Sequence, residues 1–131
     1  MLKRRVLIAI SLLALTIAAA PALGAAPKKG GAYVGELPET AARLEKRVVL
    51  KVSPSGTTGR VRLACGQTRV GVSSKFDIVK GKFVAKRQTG SLLVWRLTGR
   101  FTSSTKAKAK LYLPAACDGK GGKLTLELDE G

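Results

Sequence analysis

The sequence contains no histidine and no asparagine, and only eight of its 131 residues are acidic. Without histidine, the chain has no imidazole that could act as a general base or bind a metal. Without asparagine, it has no acceptor for N-glycosylation. These absences exclude the histidine-dependent classes of catalysis and metal binding, and we expect the protein not to be an enzyme.

The few carboxylates show no arrangement that is typical of an active site. They are Glu36, Glu39, Glu45, Asp77, Asp118, Glu127, Asp129 and Glu130. They include no evident pair of the glycosidase kind, although the two members of such a pair can be distant in sequence. The chain has neither a G-x-S-x-G turn nor a phosphate-binding loop, and its DGKGG segment is followed by too few oxygen ligands for calcium. We therefore predict no catalytic residues, no metal and no cofactor.

The first 24 residues have the pattern of a secretory signal peptide. Three basic residues at positions 3–5 precede an apolar run over residues 6–20. As a helix this run rises only about 22 Å, which is short of the ~30 Å hydrocarbon core of a membrane. An uncleaved membrane anchor is the alternative. We predict a secreted protein with no transmembrane span in the mature chain.

The predicted processing site lies among the small residues around Pro21. Signal peptidase requires small residues at the −3 and −1 positions, so cleavage after Ala22 or after Gly24 fits. Residues 25–30 (AAPKKG) are then a linker, and residues 31–131 a single all-β domain. Loss of the three basic residues near the N-terminus lowers the net charge from +16 to +13. Such an excess favours attraction to polyanions.

The two cysteines, Cys65 and Cys117, allow only one intramolecular pairing. In an exported protein such a pair is most simply a disulfide. Closing a loop of about 52 residues stabilises a fold by roughly 4 kcal/mol in the chain-entropy account. A catalytic thiol is the alternative, but it needs a base to form the thiolate, and no histidine is available.

A central stretch at residues 75–101 contains the only tryptophan and alternates apolar with charged side chains. This period of two predicts a β-hairpin whose inner face forms the core. The RQTG segment at residues 87–90 is the predicted hairpin loop. In the strand that follows, Trp95 faces inward. Gly99 falls on the same face, which indicates a close approach of backbone or a kink.

The strands of this hairpin are predicted at residues 82–86 and 91–101, and further strands at residues 31–37, 47–53, 60–65, 69–72, 106–113 and 123–128. Residues 39–45 (ETAARLE) have a helical composition but are too few for a stable helix, so we predict a loop there. Seven or eight short strands separated by Gly, Pro, Ser and Thr turns predict an all-β fold, either an antiparallel sandwich or a barrel.

A series of glycine, aromatic and cysteine positions runs through the chain in the order G-x-Y-x-G, Cys, F-x-I-x-x-G-x-F, W-x-L-x-G-x-F, Cys. The positions are Gly31, Tyr33, Gly35, Cys65, Phe76, Ile78, Gly81, Phe83, Trp95, Leu97, Gly99, Phe101 and Cys117. This order resembles a group of small exported bacterial domains, mainly actinobacterial, and the resemblance covers nearly all of the chain after the signal peptide. It implies a secreted β-domain with joined cysteines, and it brings no known activity, ligand or site residue.

No acidic residue occurs between Ile78 and Ala116. If the strands at 82–86, 91–101 and 106–113 form a meander, most basic residues of this span point outward on one sheet face. The candidate binding residues are Lys82, Lys86, Arg96, Arg100, Lys106, Lys108 and Lys110. Like charges on neighbouring strands repel each other. The functional interpretation of this pattern is a surface that binds anionic cell-envelope polymers.

Two other interpretations of this basic face remain. It is either a solvated surface whose lysines protect sheet edges from aggregation, or part of an envelope accessory domain that contacts an extracellular protein. Specific nucleic-acid recognition is not expected, because Phe83, Trp95 and Phe101 are predicted to face inward. Single-strand binders usually stack bases on exposed aromatic rings.

Overall fold

An antiparallel meander runs through residues 24–130, the part of the chain that the computed structural model describes. The predicted signal peptide lies outside these residues except for Gly24. The nine strands within this range are β1 (Ala32–Leu37), β2 (Lys46–Val52), β3 (Thr58–Cys65), β4 (Thr68–Val72), β5 (Phe76–Asp77), β6 (Lys82–Thr89), β7 (Leu92–Phe101), β8 (Lys106–Tyr112) and β9 (Gly122–Leu128). Within the described range, no helix has the length and apolar character needed to cross a membrane.

The strands form one sheet in the order β4-β3-β2-β1-β9-β8-β7-β6, and the short β5 pairs with β3. Every neighbouring pair is antiparallel. Because β1 pairs with β9, the first and last strands meet in the middle of the sheet. The sheet curls until its two ends approach each other. This nearly closed barrel confirms the predicted all-β, antiparallel sandwich-or-barrel class.

Three hydrogen bonds join the two ends of the sheet. The amide of Ser74 donates to the carbonyl of Lys86 at 3.1 Å. The indole Nε1 of Trp95 donates to the carbonyl of Val70 at 3.3 Å. The guanidinium of Arg87 reaches the carbonyl of Val72 at 3.3 Å. These bonds satisfy polar groups that an open sheet edge would otherwise leave exposed.

The inward side chains of the strands fill the barrel and form one apolar core. Four inward positions on β6, β7 and β8 carry small residues. They are Ala85, Gly99, Ala107 and Ala109. They leave room for large rings. Phe101 packs edge-on against Tyr33, with 5.0 Å between the ring centroids. It also packs at a tilt against Phe83, with 5.6 Å between the centroids. Small barrels are filled by side chains in this way.

The hairpin between β6 and β7 is longer than predicted. Strand β6 continues to Thr89, so the turn consists of Gly90 and Ser91 rather than residues 87–90. Gly90 has a φ of +61°, which suits a two-residue turn. A register shift after Arg87 allows the extra pairing. The predicted loop at residues 39–45 is confirmed as a non-helical connection.

The predicted linker runs along one end of the barrel. The amide of Gly24 donates to the carbonyl of Lys80 at 3.0 Å. The amide of Lys28 donates to the phenolic oxygen of Tyr33 at 2.8 Å. Residues 24–28 are therefore joined by hydrogen bonds to two separate parts of the barrel.

A candidate polyanion-binding face

The outward side chains of β6, β7 and β8 lie in rows across the sheet. Lys82 lies opposite Arg100, and Arg100 lies opposite Lys108. All three side chains are exposed. Neighbouring strands are about 4.8 Å apart, so this row of three cations spans roughly 10 Å from strand to strand.

Two further rows run parallel to the first. In one, Thr98 of β7 lies opposite Lys110, and Lys110 lies opposite Lys123 of β9. In the other, Lys86 lies opposite Arg96, and Arg96 lies opposite Tyr112. The guanidinium of Arg96 lies 5.1 Å from the centroid of the Tyr112 ring, a cation–π contact. The meander therefore brings the predicted basic residues together on one side of the barrel.

Lys106 differs from the other predicted members of this surface. Its Nζ lies 3.7 Å from Oε1 of Glu127 on β9, so it lies at the boundary and already has a counterion. The other six predicted cations form no salt bridge within residues 24–130. We define the first basic face as these six residues and Lys123: Lys82, Lys86, Arg96, Arg100, Lys108, Lys110 and Lys123.

Lys123 was not among the residues predicted from the sequence. It lies on the last strand, and only the pairing of β8 with β9 places it beside Lys110. The alternation of the last strand indicated an outward position for Lys123. It did not indicate which strand would be its neighbour.

An open groove of about 1100 Å³ crosses the first basic face. Val84, Thr98 and Thr125 line it between the cations, and Asp77 is the only carboxylate among its lining residues. Val84 is 43% exposed. The groove thus offers an extended strip with apolar and hydroxyl groups flanked by positive charge.

A second electrostatic feature lies at one end of the barrel, away from this face. The ammonium of Lys46, on β2, is fully buried and lies 2.6 Å from Oδ1 of Asp118. Oδ2 of the same carboxylate accepts the amide of Leu44 at 2.7 Å. The hydrogen bond from Lys46, followed by that of the Leu44 amide, holds the pKa of Asp118 well below its usual range. Because both charges have partners, we interpret this pair as structural.

The predicted disulfide is confirmed, since Cys65 and Cys117 are joined with their Cα atoms 6.1 Å apart. This bond leaves no free thiol in the described chain. Within residues 24–130, no three His, Cys, Asp or Glu side chains cluster in a way that could hold a metal ion.

Comparison with known proteins adds no family to these observations. No model of a known protein family matches the chain. A search of curated proteins also finds no match. The resemblance to small exported bacterial domains therefore stays a prediction, and the functional argument rests on the geometry of the basic face.

Proposed function

We propose that the protein is a secreted, non-enzymatic β-domain that binds anionic polymers of the cell envelope through the first basic face. The observation that carries the proposal is the row of Lys82, Arg100 and Lys108, three neighbouring cations that form no salt bridge with any residue of the range 24–130. Like charges that lie directly opposite each other destabilise a sheet. A multivalent anion that contacts all three would reduce this repulsion.

The disulfide supports an extracytoplasmic location. Bonds of this kind form and persist in oxidising compartments and are rare in the cytosol. The bond between Cys65 and Cys117 therefore agrees with the signal peptide predicted from the sequence.

The polymer would be recognised mainly by its charge and its extended form. Each phosphate or carboxylate that contacts a lysine or arginine releases counterions, which makes the affinity depend strongly on salt. Arg96 and Arg100 also supply planar donors that suit either group. Val84 and Thr98, which line the groove, offer contacts to the uncharged backbone of such a polymer.

The alternative function is an accessory domain of the envelope that contacts an extracellular protein. Exposed apolar residues favour it, above all Val79, which is 61% exposed, and Leu92, which is 57% exposed. Binding through such residues would change little with ionic strength, whereas binding through the basic face would weaken steeply. Salt dependence thus separates the two functions.

The test is binding of the purified protein to immobilised heparin and to isolated cell-envelope material across a salt series. The first-face variant removes three cations whose side chains line the groove: Arg100→Gln, Lys108→Gln and Lys110→Gln. We expect it to bind more weakly and to lower the slope of log K against log salt by roughly 2, at about 0.7 per lost contact.

A control variant removes the same amount of charge from exposed positions outside the groove: Lys28→Gln, Lys29→Gln and Lys120→Gln. We expect it to bind nearly as the natural protein does. Equal losses in the two variants would show that net charge, and not the basic face, determines binding. If the natural protein fails to bind at low salt, the proposal is wrong and the protein-contact alternative is favoured.

A further inference from the structure

A second basic surface lies on β2 and β3. Lys51 lies opposite Arg60, and Val49 lies opposite Arg62. The three cations are exposed, and none of them forms a salt bridge within the described residues. Together with Lys75, which precedes β5, they define the second basic face.

This face has the same construction as the first. An open groove of about 460 Å³ runs along it, and Val49 and Val72 line the groove beside the four cations. No carboxylate is among its lining residues. Cations therefore surround valine side chains on both faces.

The strand pairs β2–β3 and β7–β8 lie on opposite sides of the barrel. Leu50 of β2 and Val61 of β3 contribute to the same core as Leu97 of β7 and Leu111 of β8. Successive residues of a strand point to opposite sides of the sheet, so the outward side chains of these two strand pairs leave the core in opposite directions. Strands β1 and β9 separate the pairs on one side of the barrel, and β4, β5 and β6 separate them on the other.

Carboxylates mark the boundaries between the two faces. On one side, Glu36 pairs with Arg47 and Glu127 pairs with Lys106, each at 3.7 Å. On the other side, Asp77 lies on β5. None of β2, β3, β4, β6, β7 and β8 carries an acidic residue. Among the strands, acidic residues are thus confined to β1, β5 and β9.

We infer that the barrel holds two anionic polymer chains at once, one on each basic face, and so cross-links them. This inference rests on the proposed function, because the second face takes the same class of polymer as the first. Two sites on one rigid barrel give bivalent attachment to a polymer network, which strengthens retention without any new contact.

The number of sites is measured with a short heparin oligosaccharide as the probe, by titration calorimetry of the purified protein at low salt. The second-face variant carries Lys51→Gln, Arg60→Gln and Arg62→Gln, and thus loses as much charge as the first-face variant and the control variant. We expect two oligosaccharides per barrel for the natural protein and the control variant. Each face variant should bind one, and their combination none.

Cross-linking is measured with long heparin chains by light scattering. The natural protein and the control variant should raise the scattering, with a maximum at an intermediate ratio of protein to polymer. Each single-face variant should bind the chains without this rise. Because all substituted side chains point outward, we expect the near-UV circular dichroism of the buried Trp95 to stay unchanged, which shows that the variants are folded.

The outcomes separate this inference from the proposed function. If the natural protein binds one oligosaccharide per barrel and the second-face variant behaves like the control, the inference is wrong. The proposed function is then left in place. A stoichiometry of two that the second-face variant does not change also overturns it. No binding of either probe by the natural protein overturns both proposals.

Discussion

The fully buried ammonium of Lys46 lies 2.6 Å from Oδ1 of Asp118. Lys46 faces Cys65 across β2 and β3, and Asp118 directly follows Cys117. The ion pair and the disulfide therefore attach two consecutive residues of the β8–β9 loop to two paired residues of the barrel. A buried charge near the disulfide depends on this loop for its counterion.

We expect Asp118→Asn to lower the melting temperature more than Lys46→Met does. The first change leaves a buried ammonium without a counterion, which is strongly unfavourable. The second leaves a carboxylate that is 26% exposed and still accepts the amides of Leu44 and Lys120. Thermal unfolding followed by circular dichroism measures the order. The double variant should be more stable than Asp118→Asn alone, and the reverse order of the single variants would contradict the assignment of the pair.

The same pair predicts a loss of stability in acid. The pKa of Asp118 is depressed in the folded protein by its hydrogen bonds to Lys46 and Leu44, whereas the unfolded chain has an ordinary value of about 3.9. The resulting stabilisation is fully present above the unfolded pKa and disappears as the pH falls through the lower folded pKa. Urea unfolding between neutral pH and strongly acidic pH measures it. Asp118→Asn should lose less stability over this range, and an equal loss in both proteins would assign the effect to other groups.

Reduction of the disulfide should lower the free energy of unfolding by about 4 kcal/mol, since the bond closes a long loop. The sequence separation of Cys65 and Cys117 is 52 residues. Urea unfolding with and without a reductant measures the change. The variant with Cys65→Ala and Cys117→Ala should resemble the reduced protein and should not respond to the reductant. A large effect of the reductant on that variant would show that the loss has another cause.

Gly99 is predicted to tolerate no side chain. A Cβ at this position would lie 2.6 Å from Cζ of Phe83 and 2.7 Å from the carbonyl oxygen of Lys108. Gly99→Ala should therefore destabilise the barrel by about 1–3 kcal/mol through overpacking. The neighbouring Thr98 points outward, so Thr98→Ala is the control and should change stability by no more than about 0.5 kcal/mol. Equal stability of Gly99→Ala and the natural protein would contradict the close approach.

The alternation of residues predicted most of the inward faces correctly, including Val48, Leu50 and Val52 of β2. The burial of Lys46 was missed, although it lies on the same period-two face. A lysine in the interior requires a counterion, and Asp118 is 72 residues away in the sequence. Local pattern gives the direction of a side chain, whereas the partner of a buried charge depends on long-range topology.

For the candidate site too, the sequence predicted which side chains point outward but not which of them are neighbours. The sequence indicated the outward positions of Arg60 and Arg62, but it did not show that Lys51 lies beside them on a second basic face. The ion pair between Lys106 and Glu127 was likewise not predictable, because it depends on the register of β8 with β9. Strand order, which the turns do not encode, decides which charges become neighbours.

The segment before β1 is predicted to stabilise the barrel in proportion to the hydrogen bonds that it retains. The amide of Gly24 donates to Lys80 at 3.0 Å and that of Ala25 donates to Phe101 at 2.8 Å. A chain that starts at Ala25 loses the first of these bonds. A chain that starts at residue 30 loses both, together with the bond from the amide of Lys28 to the barrel.

Since each such bond contributes about 0.5–1.5 kcal/mol, the free energy of unfolding should fall in the order of start sites 23, 25 and 30. The chain that starts at residue 30 should be less stable than the longest one by roughly 2–4 kcal/mol. Urea unfolding of the three chains measures the series. Equal stabilities would show that residues 24–29 act only as a linker. The predicted order would mean that cleavage after Ala22 gives a more stable mature protein than cleavage after Gly24, because only the former keeps the hydrogen bond from Gly24 to Lys80.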